Sequence, residues 1–96
     1  MALRQTLATL WRNVQWSAYQ STPGTPVFDY TPHGERFERP TTAAEAVRVR
    51  PHFDQFWAEV RERDPRGYAA WRSAFETWRS AGLGTSMPRP EDYATH

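Results

Sequence analysis

Cysteine, lysine and isoleucine are absent from these 96 residues, and asparagine occurs once, at Asn13. Without Cys there can be no disulfide, no thiolate zinc ligand and no thiol nucleophile. Lys, Ile and Asn share AT-rich codons, so their scarcity reads as the coding bias of a GC-rich genome, bacterial or phage. All 12 basic side chains are consequently Arg. That origin weakens Arg abundance as a sign of phosphate binding, although each guanidinium keeps a planar fork suited to carboxylates and phosphates. Neither sign of charge is in excess, at a formal net charge of +1. Long apolar runs are also lacking. None approaches the roughly 20 residues that cross a bilayer, and no signal-peptide succession opens the chain. The expectation is a soluble protein without a membrane partner, cytoplasmic or, if of phage origin, virion-associated.

Chemistry-bearing patterns are scarce too. His33, His52 and His96 are the only imidazoles. His52 and Asp54 are two residues apart, which does not place two ligands on one helix face. The serines lack a nucleophile-elbow context, and the glycines form no phosphate-cradling loop. Glu59, Glu62 and Asp64 are expected on a solvated helix face. We expect no catalytic residue, no metal and no cofactor.

What the chain does have is aromatic bulk, 15% of its residues. It is concentrated between Arg50 and Gly84, which holds Trp57, Trp71 and Trp78 and Phe53, Phe56 and Phe75. Thr42-Ala-Ala-Glu45 has the form of a capping box. Ala46, Val49, Phe53, Phe56 and Val60 then recur at helical spacing, with Trp57 widening the stripe. Pro51 falls inside this pattern and predicts a kink or break. Asp64-Pro65 combines an N-cap with the favoured first helical residue. Tyr68, Trp71, Phe75 and Trp78 mark one face of the next helix. It should stop at Ala81, with Gly82 in the left-handed conformation and Leu83 folding back onto Trp78.

The predicted fold is therefore mainly α, a small three- to four-helix domain. A helical hairpin, about 43–63 and 65–81, is joined by an N-terminal helix over about 2–18. That helix has its apolar face at Leu3, Leu7, Leu10, Trp11, Val14 and Ala18. Pro23, Pro26, Pro32 and Pro40 exclude a long helix from 20–41. This segment is either a short hairpin turning at Thr31-Pro32-His33-Gly34 or an irregular loop anchored by Phe28, Tyr30 and Phe37; the loop is the preferred reading. Residues 1–83 are taken as one domain, and 84–96 as an extended or partly disordered tail with Met87 or Tyr93 as an anchor.

Two functional classes remain. Trp16, Tyr19, Phe28 and Tyr30 lie outside the strong helical stripes, and aromatics with Arg are the residues enriched at interface hot spots. They point to a non-enzymatic protein-protein interaction protein: an adaptor, accessory subunit, inhibitor or virion component. Alternatively Trp16 is covered by 20–40, and the aromatics anchor the loops. The second class is a helical nucleic-acid-binding domain using Arg48, Arg50, Arg61, Arg63 and Arg66 with Trp and Tyr stacking. The interleaved Glu59, Glu62 and Asp64 weigh against it, because binders of this kind carry a basic stripe.

Overall fold

The structure, a computed structural model, describes residues 6–95. Helix α1 spans Leu7–Gln20, two residues past the expected end, and Thr6 caps it by accepting the Thr9 N–H. The expected helical residues 2–5, Leu3 among them, lie outside the described residues. Leu10, Trp11, Val14 and Ala18 are buried as their spacing requires.

Helix α2 spans Ala43–Arg63 and opens with the full capping box: Thr42 Oγ1 accepts the Glu45 N–H at 3.2 Å, and Glu45 Oε1 accepts the Thr42 N–H at 3.0 Å. It continues unbroken through Pro51. Pro51 and Val47 are both exposed, so the carbonyl that loses its donor lies on the water side, where it is cheaply satisfied. Ala46, Phe53, Trp57 and Val60 form the buried stripe, while Val49 and Phe56 are only half-buried.

Helix α3 spans Pro65–Ser80 and buries Gly67, Trp71, Phe75 and Trp78. Its end is a Schellman turn. Gly82 has φ 91° and Leu83 φ 64°. The Gly82 N–H bonds the Arg79 carbonyl and the Leu83 N–H the Trp78 carbonyl. Leu83 folds back onto the core, as its position after Gly82 predicts.

The core is built mostly from rings. Trp71 packs edge-on against Trp11 (5.9 Å) and Trp57 (5.6 Å) and stacks on Phe75 at 5.1 Å; Phe53 stacks on Trp57 at 4.4 Å. Offset and edge-on arrangements of this kind suit the ring quadrupoles. Buried indoles also need acceptors for their N–H groups, and the C-terminal segment supplies two. Trp78 Nε1 donates to the Thr85 carbonyl at 2.8 Å, and Trp71 Nε1 to the Pro88 carbonyl at 3.1 Å. Met87 and Pro90 are buried, and Pro90–Asp92 forms one 3-10 turn against α1. Residues 84–95 thus pack along the helices.

Asp64 departs from expectation. Instead of lying on a solvated face, its carboxylate is buried. It accepts the Gly67 N–H (3.2 Å), Trp11 Nε1–H (3.3 Å), the Thr95 N–H (3.2 Å) and the Thr95 hydroxyl. One side chain therefore joins α1, the α2–α3 turn and the C-terminal segment. Burial alone would raise its pKa, but donation by Thr95, Gly67 and Trp11 outweighs burial and leaves it lowered.

Segment 20–41 is a hairpin and not the irregular loop. Strand β1 (Pro26–Tyr30) pairs antiparallel with β2 (Arg36–Pro40), with Phe28 opposite Glu38 and Tyr30 opposite Arg36. The turn has Pro32 at its second position and Gly34 at φ 86°. The Gly34 N–H bonds the Thr31 carbonyl, and the Thr31 N–H bonds the Glu35 carbonyl. This is the three-residue loop that ends on a left-handed glycine. Phe28, Tyr30 and Phe37 are exposed, so they do not act as anchors. The hairpin makes few contacts with the helices and projects from them; the radius of gyration is 14.5 Å, above the value of about 12.5 Å typical of a chain of this length.

Candidate protein-interaction surface

An isolated two-stranded hairpin is marginal in water, so this one must be held by its base. Thr25 is fully buried there, and its hydroxyl lies 2.6 Å from the Tyr19 carbonyl and 3.0 Å from the Thr41 hydroxyl. The Thr41 N–H donates to the Thr25 carbonyl at 2.7 Å, and the Gly24 N–H to the Thr41 carbonyl at 2.9 Å. Thr22 Oγ1 donates to the Ala18 carbonyl at 2.6 Å. Threonines at either end of the hairpin thus tie it to the end of α1.

Arg39 is a second brace. Its Nε donates to Asp29 Oδ2 at 2.8 Å, and its two terminal nitrogens bind both Glu45 oxygens at 2.7 Å. Glu45 is at once the capping-box carboxylate of α2 and the hairpin's anchor. Hydrogen bonds from Arg39 and then Thr42 hold its pKa well below the usual carboxylate range, and the Arg39 hydrogen bond also lowers the pKa of Asp29. Sequence reasoning missed Arg39. Antiparallel pairing puts alternate residues on one face, so Asp29 and Arg39 become diagonal neighbours once the register is known.

The open strand edges are blunted. Bonds at Thr25–Thr41 and Thr31–Glu35 place the outward-facing backbone groups at Pro26, Phe28 and Tyr30 on β1 and at Arg36, Glu38 and Pro40 on β2. Both prolines lack the N–H that would point outward, and the Tyr30 N–H is taken by Asp29 Oδ1 at 2.8 Å. Further strand addition is disfavoured, and the hairpin offers side chains instead of backbone.

Of the aromatics singled out from sequence, three are exposed: Trp16 (61%), Phe28 (61%) and Tyr30 (64%). Phe37 joins them at 42%. The segment 20–40 does not cover Trp16. Tyr19 is half-buried, and burial followed by the nearby Glu38 charge raises its phenol pKa. Arg36 lies over the Phe28 ring at 4.5 Å. Trp16 and Tyr19 line one depression of about 610 Å³ with Arg12. Tyr19 and Pro26 share the wall of a second one, which continues α1 onto the hairpin base.

The arginines are not gathered in one patch. Arg50 and Arg61 line a groove between α2 and α3 together with Arg72, which the sequence had not singled out. Arg48, Arg63 and Arg66 are exposed outside that groove. His33 stands at the hairpin turn and His52 on the outer side of α2, both exposed. Among the described residues, no helix is long and apolar enough to cross a membrane. No protein-family model, curated protein or solved structure matches the chain.

Proposed function

We propose that this chain is a small non-enzymatic protein-protein interaction protein, an adaptor, accessory subunit, inhibitor or virion component, with Trp16, Tyr19, Phe28 and Tyr30 as its partner contacts. One observation carries the reading: Trp16, Phe28 and Tyr30 are each more than 60% exposed, while the base beneath the hairpin is buried and hydrogen-bonded. Single exposed hydrophobes are ordinary. Large aromatics on a projecting, braced hairpin are the less ordinary case, because a preorganised aromatic surface gives up little conformational entropy on binding. The nucleic-acid reading has less support, since only Arg50 and Arg61 of its five arginines share a groove, and Asp54 sits among them. A GC-rich bacterial or phage origin, and a cytoplasmic or virion location, belong to the same proposal.

Affinity capture from the native host tests it. Wild-type protein and a Phe28→Ser/Tyr30→Ser variant serve as baits, with retained proteins identified by mass spectrometry. A protein retained by the wild type and lost from the folded variant is the expected result. Identical recovery by both baits overturns the assignment of the hairpin as the contact surface.

A further inference from the structure

A second surface runs along α2, separate from the hairpin. Ala43, Val47, Arg50, Asp54, Ala58 and Arg61 follow one another at spacings of three and four, a single line about 27 Å long at 1.5 Å per residue. It has two halves that meet at Arg50 and Asp54, because both residues border the groove on either side. The first half is an apolar depression of about 580 Å³, walled by Pro23, Ala43, Ala46, Val47 and Pro51. Val47 is 74% exposed there, the most exposed of the large hydrophobic side chains. The second half, about 310 Å³ between α2 and α3, brings Arg50, Arg61 and Arg72 together over Trp57 and Tyr68.

In the basic half Arg72 is held in place by an ion pair, while Arg61 and Arg50 are available. Arg72 lies over the Trp57 ring at 4.2 Å and pairs with Glu76 at 2.6 Å. Arg61 lies 6.0 Å from the Tyr68 ring centroid and has no ion pair among the described residues. Arg50 meets Asp54 only at 3.4 Å, in a pair more than half exposed on both sides; such a contact contributes little and exchanges readily. Trp57 Nε1, beneath them, is the one buried side-chain donor among the described residues without an acceptor. Three arginines against Asp54 and the Glu76 that pairs with Arg72 leave a net charge of +1, carried by Arg61.

We propose that this line binds an acidic peptide segment of a partner protein, with carboxylates against Arg50, Arg61 and Arg72 and an apolar side chain against Val47 and Pro51. The groove already uses arginine-carboxylate chemistry in its Arg50–Asp54 and Arg72–Glu76 pairs, so an incoming carboxylate replaces like with like. The adjoining apolar half fits a peptide and not a sugar-phosphate backbone.

The test is residue-resolved NMR, reading backbone, indole and Arg Nε–H signals of the full chain. The probe is a synthetic acetylated peptide of one Leu followed by four Glu. Its Lys counterpart and a ten-nucleotide thymidine DNA are the other arms. The expected result is saturable perturbation at Val47, Trp57, Arg61 and Arg72 by the acidic peptide alone. Arg61→Gln and Arg50→Gln, both on exposed side chains, should each weaken it about fivefold, as loss of a charge-assisted contact does. No perturbation at about 1 mM peptide overturns the proposal. So do equal shifts at Arg12, Arg36 and Arg89, or unchanged binding by both variants. DNA acting on the same residues at lower concentration than the peptide overturns it in favour of nucleic acid. A hairpin variant that loses its partner keeps this response, so the two surfaces are separable.

Discussion

At the scale of single residues, Asp64 and Gly67 leave each other no room for a side chain at position 67. A Cβ added at Gly67 would sit 2.5 Å from Asp64 Oδ2 and 2.6 Å from the Tyr93 carbonyl oxygen. Replacing a helix glycine by alanine normally stabilises by about 0.5–1 kcal/mol. Here Gly67→Ala is expected to reverse that sign and lower the melting temperature by about 5 °C or more, the equivalent of about 1 kcal/mol for a chain of this size; a thermal melt checks it. Asp64 carries a pH prediction. Its folded pKa is lowered, so its contribution is present above the unfolded value, about pH 4, and is lost as the pH falls through the folded value. Stability should therefore drop on acidification below about pH 4. Asp64→Asn, which places an amide among four donors, should cost about 1–3 kcal/mol at neutral pH and flatten the acid limb. Denaturant melts between neutral pH and pH 3 measure both effects. The cap at Asp64-Pro65 is legible from two adjacent letters. Its reach to Trp11 and Thr95 is not, because contacts across 53 and 31 residues leave no local pattern.

Among the elements, the helices were the readable part. Apolar spacing located the stripes of α1, α2 and α3, and Thr42-Ala-Ala-Glu45 and Gly82-Leu83 marked ends that the backbone bonds then show. Of the kink or break expected at Pro51, the break does not occur, because its cost depends on whether the freed carbonyl faces water, which spacing alone does not reveal. The hairpin was half-legible: Thr31-Pro32-His33-Gly34 named the turn, but four prolines obscured the strands. Pro26 and Pro40 are tolerated because both stand where the N–H would point away from the partner strand. The C-terminal segment had no periodicity to read, and its hold on the core is a matter of backbone carbonyls meeting indole N–H groups. Deleting residues 84–96 removes the acceptors of Trp71 and Trp78, the buried Met87 and the Thr95 donors. The loss should be about 3 kcal/mol or more, seen as a collapsed denaturant midpoint; a truncated chain as stable as the full one would mean that the segment only lies against the surface.

For the whole molecule, the organising feature is a division of labour among its aromatic side chains. Trp11, Trp57, Trp71, Trp78, Phe53 and Phe75 fill a core that three short helices could not otherwise close, while Trp16, Phe28, Tyr30 and Phe37 stay in water. Sequence spacing anticipated part of that division: Trp16 falls roughly opposite the leucine stripe of α1, whereas Phe28 and Tyr30 could be placed outside only once the hairpin was seen to project. The interaction reading requires that the outer set be dispensable for folding. Thermal unfolding of Trp16→Ala beside Trp71→Ala measures this directly. The account predicts that Trp16→Ala melts within about 0.5 kcal/mol of the wild type and that Trp71→Ala loses about 3–5 kcal/mol. Comparable losses from the two substitutions would contradict it, because Trp16 would then belong to the core and not to a surface kept for a partner.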